Sequence, residues 1–393
     1  MKHMNSKSTL STILLLTGIV LIAINLRPAI TSVGPLMGTI RDDIGLANWN
    51  TGLITSLPLL AFAIMSPVAP KIANRLGNEK ALLLGLILLL SGIGIRSLAL
   101  VPALYIGTTF VGLGIAVCNV LLPGVIKEKF PDKVGLMTGA YTTIMSVFAA
   151  IASGLSVPLA TALGWQMSLL IWALFALIGI TIWVIINHKN NDTPDQQYFE
   201  TNSSQLFRSA MAWQVTLFMG LQSFLFYVTI SWLPELLHHS GISIETAGWL
   251  LSYMQFISLP VTFYTPILAS RFNNQQGISI GIGLLGLLGY GGLLFDGSLF
   301  ITIISVTLIG FALGACISLA LAFLGMRSID AKQAANLSGM AQSFGYLLAA
   351  IGPLLIGLLF DITKTWTVPL LVMLIVVLVL TGFGIGAGRD KYV

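Results

Sequence analysis

An arginine followed directly by a proline stands inside an apolar run: Asn25-Leu26-Arg27-Pro28 follows TGIVLIAI and precedes AITSVGPLM. A guanidinium offers five donors in a planar fork, a geometry suited to a small anion or a strong dipole. Pro28 lacks an N–H and loosens the helix around it, so freed carbonyls adjoin the fork. By position Arg27 sits about 25 Å along its helix, roughly 8 Å beyond the middle of the span at about 1.5 Å per residue. An arginine at the centre of a bilayer costs about 2.5–3.5 kcal/mol on insertion scales, so it requires a wet cavity or a partner. Ligand contact is one reading of Arg27. Tying helices together through carbonyls, or reaching up to the headgroups, is the other.

Arg96, in SGIGIRS, lies at a similar expected depth, so a paired cationic site and a purely structural tie are both open. The 14 carboxylates, from Asp42 to Asp390, all map to loops or to the ends of apolar runs. None is placed to neutralise Arg27, so an anionic cargo would itself supply the counter-charge. A cation site would need a buried acid, and cationic cargo is disfavoured. Asn25, Asn119, Gln222, Tyr227, Gln342 and Tyr346, with Ser223 and Gln255, are the remaining polar groups to draw around a cavity. Each serves equally well as an interhelical hydrogen bond, worth about 0.6 kcal/mol on average in membranes. Trp49, Trp165, Trp232 and Trp366 fall near the outer ends of runs and read as interface anchors.

Other chemistry is not indicated. Cys118 and Cys316 stand alone in apolar stretches and read as packing residues, and His238-His239 as a solvated loop, so no metal and no cofactor is expected. No Gly-Lys-Ser/Thr phosphate loop occurs, which excludes ATP-driven transport by this chain. An enzyme embedded in the membrane would need His, Asp, Ser or Lys clustered at one depth, and none is visible.

The elements that must position these residues follow from composition. Of 393 residues, 56% are hydrophobic and only 8% charged. A soluble chain carries about 25% charged residues, so a soluble enzyme, a disordered chain and a nucleic-acid binder are excluded in spite of the net charge of +5. The partner surface is a lipid bilayer. Twelve continuous apolar runs of about 20 residues, the first over 10–38 and the last over 365–387, each suffice to cross a hydrocarbon core of about 30 Å as a helix. The predicted fold class is an all-α integral membrane protein of twelve transmembrane helices.

Basic residues set the orientation. Fifteen of the 19 fall in loops on the side of the N-terminus, only Arg41 and Lys364 on the other, and Arg27 and Arg96 inside spans. Positive residues stay inside, so both termini are expected in the cytoplasm of a multi-pass protein of the cell membrane. The polar stretch 188–210 divides an N-terminal bundle, 1–187, from a C-terminal bundle, 211–393.

The halves look related. A shift of 196 pairs Gly52 with Gly248, Pro70 with Pro266 and Arg75 with Arg271, and a shift of 200 pairs Ala149-Ala150-Ile151 with Ala349-Ala350-Ile351. A shift of 199 pairs Pro35 with Pro234 and sets Arg27 opposite Phe226, which brings Tyr227 to its depth. Two repeated six-helix halves are the plan of a secondary transporter with its site near the midplane.

This arrangement resembles the major facilitator superfamily. After the second span the chain reads PKIANRLGNEK, with Arg75, Gly77 and Lys80 matching that family's loop signature and Asn74 in place of its usual acid. The resemblance implies a cytoplasmic gate built on Arg75, Gly77, Lys80 and the repeat-related Arg271. A narrower similarity, to the cyanate and nitroimidazole permease branch, rests on Asn25-Leu26-Arg27-Pro28 with Thr31-Ser32-Val33-Gly34-Pro35-Leu36. It is supported by Gly94 and Arg96, Trp232-Leu233-Pro234, and Met340 with Gln342. It implies a transporter, monomeric, for a small anionic or polar solute, cyanate-like or a nitrogen heterocycle, working by alternating access. A proton or another coupling ion is compatible with it, as is uniport. The alternative, proton-coupled efflux of amphipathic drugs, would want an embedded acid. A nutrient sensor that no longer transports is a further class.

Overall fold

The computed structural model describes residues 2–130, 134–189, 206–295, 298–329 and 331–393. Among them every regular element is helical. Lipid offers no hydrogen bonds, so an apolar span must satisfy its backbone internally, and a helix does this within one segment.

The first span is built from α1 (Lys2–Asn25), α2 (Pro28–Thr31), a 3-10 turn Gly34–Leu36 and α3 (Met37–Ile44). The second is α4 (Asn48–Met65) and α5 (Ala69–Leu76), bent by 58°. α6 (Asn78–Arg96), α7 (Val101–Lys129) and α8 (Val134–Leu163) follow, and α9 (Trp165–Leu170) with α10 (Ala173–Lys189) completes the first half. The second half is α11 (Ala210–His239), α12 (Ile244–Ala269), α13 (Gln276–Gly292), α14 (Leu299–Met326), α15 (Ala331–Thr363) and α16 (Thr367–Ala387). Ser209 caps α11, its hydroxyl accepting from Ala212 N at 3.3 Å. Residues 190–205 of the expected linker lie outside the described residues.

All twelve predicted spans are helical. Nine described segments are each long and apolar enough to cross a bilayer, and the bent pair α4–α5 makes a tenth. The other two are α12, whose apolar pattern is diluted by Ser252, Gln255, Thr262 and Thr265, and α13, whose 17 residues sit at the short end of the range for a span.

The structure differs from expectation around both arginines of the apolar runs. The first run is not one helix over 10–38. Arg27, at φ −121° and ψ −40°, leaves the helix, Pro28 opens α2 without an N–H to donate, and Gly34-Pro35 forms a second break. A single proline is not enough: Pro158, Pro234 and Pro353 lie inside α8, α11 and α15, which continue through them. Arg96 is not inside its span but is the last residue of α6, with Ala99 at φ 57° in the turn that follows.

The bundles meet through two related contacts, α4 with α15 and α8 with α12, while the 3-10 turn lies on α11. The repeat seen in sequence fixes how they touch. At Gly52 an added Cβ would stand 2.6 Å from Pro353 O, and at Gly248 it would stand 3.5 Å from Ser153 O. Gly52 and Gly248 are paired by the shift of 196, Ser153 and Pro353 by the shift of 200, so both contacts join equivalent positions of equivalent helices.

Candidate functional site

The break in the first span places Arg27 on the seam between the bundles. Its Nη1 lies 3.4 Å from the Tyr227 hydroxyl of α11, and its Cζ stands 5.1 Å from the Phe226 ring centroid and 6.0 Å from that of Tyr227. Cation–π contacts of this kind are worth about 0.5–2 kcal/mol. At 3.4 Å the hydroxyl contact is long, and it engages one donor of a fork that has five. Among the described residues no carboxylate forms an ion pair with Arg27.

Aromatic rings wall the guanidinium. Phe226 and Tyr227 meet edge to face at 5.2 Å, and across the seam Tyr346 of α15 meets Phe62 of α4 edge to face, also at 5.2 Å. Tyr346 interacts electrostatically with Tyr227, Arg27 and Tyr141, so the four polar groups share one neighbourhood. The arrangement offers a cationic fork, phenolic hydroxyls and flat apolar faces to one small planar or linear solute. Gly34 brings it together: an added Cβ there would stand 1.8 Å from Ile230 O, so only glycine lets the first span lie this close to α11.

The other expected site residues divide. Asn25 is buried and donates to Leu21 O at 2.7 Å, with its amide beside Gly179 of α10, away from the seam. Arg96 is 1% exposed and donates from Nη1 to Ala29 O at 2.6 Å, so it holds the segment that follows Arg27 and is not brought to the aromatic cluster. Burial requires a partner for so costly a charge, and Ala29 O supplies one, since Val33 N turns to Ile30 O at 3.2 Å instead. Its Nε and Nη2 have no hydrogen-bond partner among the described residues. Gln222 is buried, its Oε1 accepting from Ser223 Oγ at 3.2 Å, and Gln342 donates to Ser338 Oγ at 3.0 Å. Asn119 is half-buried on α7. Gln255 is spent on the seam itself, donating to Ser153 Oγ at 2.8 Å, beside Ser252 Oγ on Ala150 O at 2.8 Å. Of the four tryptophans expected at the interface, only Trp49 is exposed. Trp165, Trp232 and Trp366 are buried, with Trp165 Nε1 donating to Asp43 and Trp232 Nε1 to Pro353 O.

A polar network that sequence reasoning missed closes the face opposite the one where α1 begins and α16 ends. Arg41 Nη1 lies 2.8 Å from Glu235 Oε1 and 2.7 Å from Asn48 Oδ1. Asn48 Nδ2 donates to Asp361 Oδ1 at 2.6 Å, and Trp49 N to Asp361 Oδ2 at 3.0 Å. α3 and α4 are thereby bonded to α11 and α15, bundle to bundle. One signal was available: Arg41 and Lys364 are the two basic residues assigned to this side, and Lys364 Nζ lies 3.9 Å from Asp361.

The expected gate residues lie on the terminus face. Arg75, Lys80 and Arg271 are exposed, and none forms an ion pair among the described residues; Gly77, at φ 87°, turns the chain from α5 into α6. The ion pairs described there, Lys129 with Glu79 at 3.3 Å and with Glu128 at 2.7 Å, stay within the first bundle. Of the residues counted for charge, Lys133, Asp132, Asp192, Asp195, Glu200, Asp296 and Asp330 lie outside the described residues.

Two six-helix bundles joined at one face, with one arginine among aromatic rings on the seam between them, have the architecture of a multi-pass membrane transporter. The chain belongs to the Major Facilitator Superfamily, whose family model matches residues 10–353, and that family consists of transporters, not enzymes. It is 50% identical over 395 residues to the uncharacterized transporter YycB of Bacillus subtilis (strain 168), covering 100% of this chain and 98% of that one. It is 42% identical over 386 residues to the 2-nitroimidazole transporter of Escherichia coli (strain K12), 96% of each chain. With the cyanate transport protein CynX of the same organism it shares 24% over 360 residues, 88% of this chain and 90% of that one. These relatives agree with the permease branch to which the first-span motif points. Among solved structures, a bacterial homolog of the human lysosomal transporter Spinster, inward-facing and occupied, has the same fold: TM-score 0.77, 14% identity, 96% of this chain and 98% of that one.

Proposed function

We propose that this transporter carries a small anionic or polar solute, cyanate-like or a nitrogen heterocycle, by alternating access, with Arg27 as its principal contact. The observation that carries this reading is a guanidinium on the bundle seam with no carboxylate partner among the described residues and with two aromatic rings of α11 beside it. An anion completes the charge, and a flat ring or a linear triatomic ion fits between rings. Tyr227 and Tyr346 complete the contact set, and Gln222, Gln342 and Asn119 are its polar surroundings. Arg96 serves the site through Ala29. We take the protein to be a monomer of the cell membrane with both termini cytoplasmic and the two bundles divided at 188–210. The bonded opposite face is then the outer face, the conformer faces inward, and Arg75, Gly77, Lys80 and Arg271 are the inner gate in its released state. The names of the relatives that carry cyanate and 2-nitroimidazole support the choice of solute.

The experiment is a thermal-shift titration of purified protein with cyanate and with 2-nitroimidazole. Wild type is expected to be stabilised by at least one of them, and Arg27→Ala to melt normally without responding. A ligand that stabilises Arg27→Ala as strongly as wild type removes Arg27 from the site.

A further inference from the structure

We infer that the terminus face of the second bundle carries a binding site for an anionic phospholipid, formed by a groove between α11, α13 and α16. The groove has a volume of about 420 Å³ and is lined by Gln214, Gln276, Val379, Gly382, Phe383 and Arg389 among others. Its two ends differ in chemistry. Val379 and Gly382, both exposed, and the half-buried Phe383 make an apolar floor that runs along α16 at lipid depth. From Val379 to Gly386 that floor is about 10 Å long at the helical rise, enough for the upper part of an acyl chain.

The mouth is polar and basic. Gln214, with its amide oriented to satisfy both ends, donates to Gly386 O at 3.1 Å and accepts from Arg389 Nη2 at 3.1 Å. Arg389 Nε donates to Gly386 O at 3.2 Å, and Nη1 has no partner among the described residues, so the fork is held in place with donors to spare. Gln275 N donates to Gly388 O at 2.8 Å, which draws the loop that carries Arg271 against the tail. Arg271, Arg389 and Lys391 are all exposed there. The neighbouring acid, Asp390, is exposed and forms no ion pair among the described residues. Arg327 is buried and donates from Nε to Ala387 O at 2.8 Å. Three exposed basic groups, Arg271, Arg389 and Lys391, thus outnumber one exposed acid at this end of the bundle.

Positive charge at the headgroup level above an apolar groove matches a lipid with an anionic head: phosphate on the Arg389 fork, a chain along α16. The same fork would accept free phosphate, but only a lipid uses the floor. This site lies in one bundle and away from the Arg27 cluster, so it stands whether or not the proposed solute is correct.

The test reconstitutes the full chain in nanodiscs of phosphatidylglycerol in phosphatidylcholine, and reads lipid retention by native mass spectrometry after transfer to detergent, with inorganic phosphate as a competitor. Wild type is expected to retain phosphatidylglycerol over phosphatidylcholine. Arg389→Ala should retain it about fivefold less, the effect of one basic group at an anionic surface. Lys71→Ala, which removes an exposed basic residue from the same face of the other bundle, should match wild type. Gly382→Phe tests the floor without touching charge, because an added Cβ there meets nothing within 4 Å, and it should weaken retention as well. Equal retention of the two lipids overturns the proposal. So does an equal loss in Lys71→Ala, full retention in Gly382→Phe, or displacement by phosphate alone, which would mark a soluble-anion site.

Discussion

Arg27 and Tyr227 come from opposite bundles, and Nη1 of the one stands 3.4 Å from the hydroxyl of the other. Any movement of one bundle against the other would therefore alter the surroundings of Arg27. On the proposed reading, a ligand at Arg27 would replace this long contact and so couple its occupancy to the relative position of the halves.

Arg27→Lys keeps the charge and loses the fork. A charge-assisted hydrogen bond is worth about 1.5–3 kcal/mol, so the apparent affinity for cyanate or 2-nitroimidazole should fall roughly ten- to hundredfold while expression and melting hold. Isothermal titration of both variants measures it; equal affinities would show that charge alone suffices.

Tyr227→Phe removes only the hydroxyl and leaves the ring 5.2 Å from Phe226. Because the bond is long, transport should change by no more than about tenfold, the low end for a hydrogen bond to a charged group. Tyr227→Leu removes the aromatic face as well and should cost clearly more in vesicle uptake. Equal rates for the two would assign the ring no part.

Gly34→Ala places a methyl 1.8 Å from Ile230 O, where backbone meets backbone and neither can turn aside. Overpacking of this kind costs about 1–3 kcal/mol. The melting temperature of the detergent-solubilised protein should drop, and the face closed by Arg41 should open. Normal stability with wild-type transport would mean that the first span can shift off α11 freely.

Glu235→Gln removes the cross-bundle charge from Arg41, which keeps its ion pair with Asp42 at 2.9 Å, and weakens one of the two bridges between bundles on that face. A cysteine placed at Ile230 should then react faster with a membrane-impermeant thiol reagent added from that side. Both native cysteines, Cys118 and Cys316, are buried, so background labelling is low. An unchanged labelling rate would leave the seal to Asn48 and Asp361.

Arg96→Met keeps the side-chain length and removes the donor to Ala29 O. The fold should persist, because the buried charge is lost together with the bond. The apparent affinity should nevertheless fall, because the residues after Arg27 lose their anchor, and Arg96→Lys should restore part of it. Titration with the same two probes reads this, and a wild-type affinity in Arg96→Met would limit Arg96 to packing.

Class, span number, repeat and the depth relation of Arg27 to Phe226 and Tyr227 were legible in the sequence. They depend on hydropathy, on prolines and glycines, and on spacing along one chain, all local properties. The fate of each polar side chain was not. Asn25 and Tyr227 look alike as polar residues in apolar runs, yet one bonds its own helix and the other faces Arg27 across the seam. Arg96 and Arg27 were expected at equal depth, but α6 ends at Arg96, which is buried on the Ala29 carbonyl of the broken first span. The joining of Arg41, Glu235, Asn48 and Asp361 involves partners up to 313 residues apart. Hydropathy determines that a segment crosses the membrane, whereas a hydrogen bond is decided by the rotation of one helix against another, and only the packed bundles settle that angle.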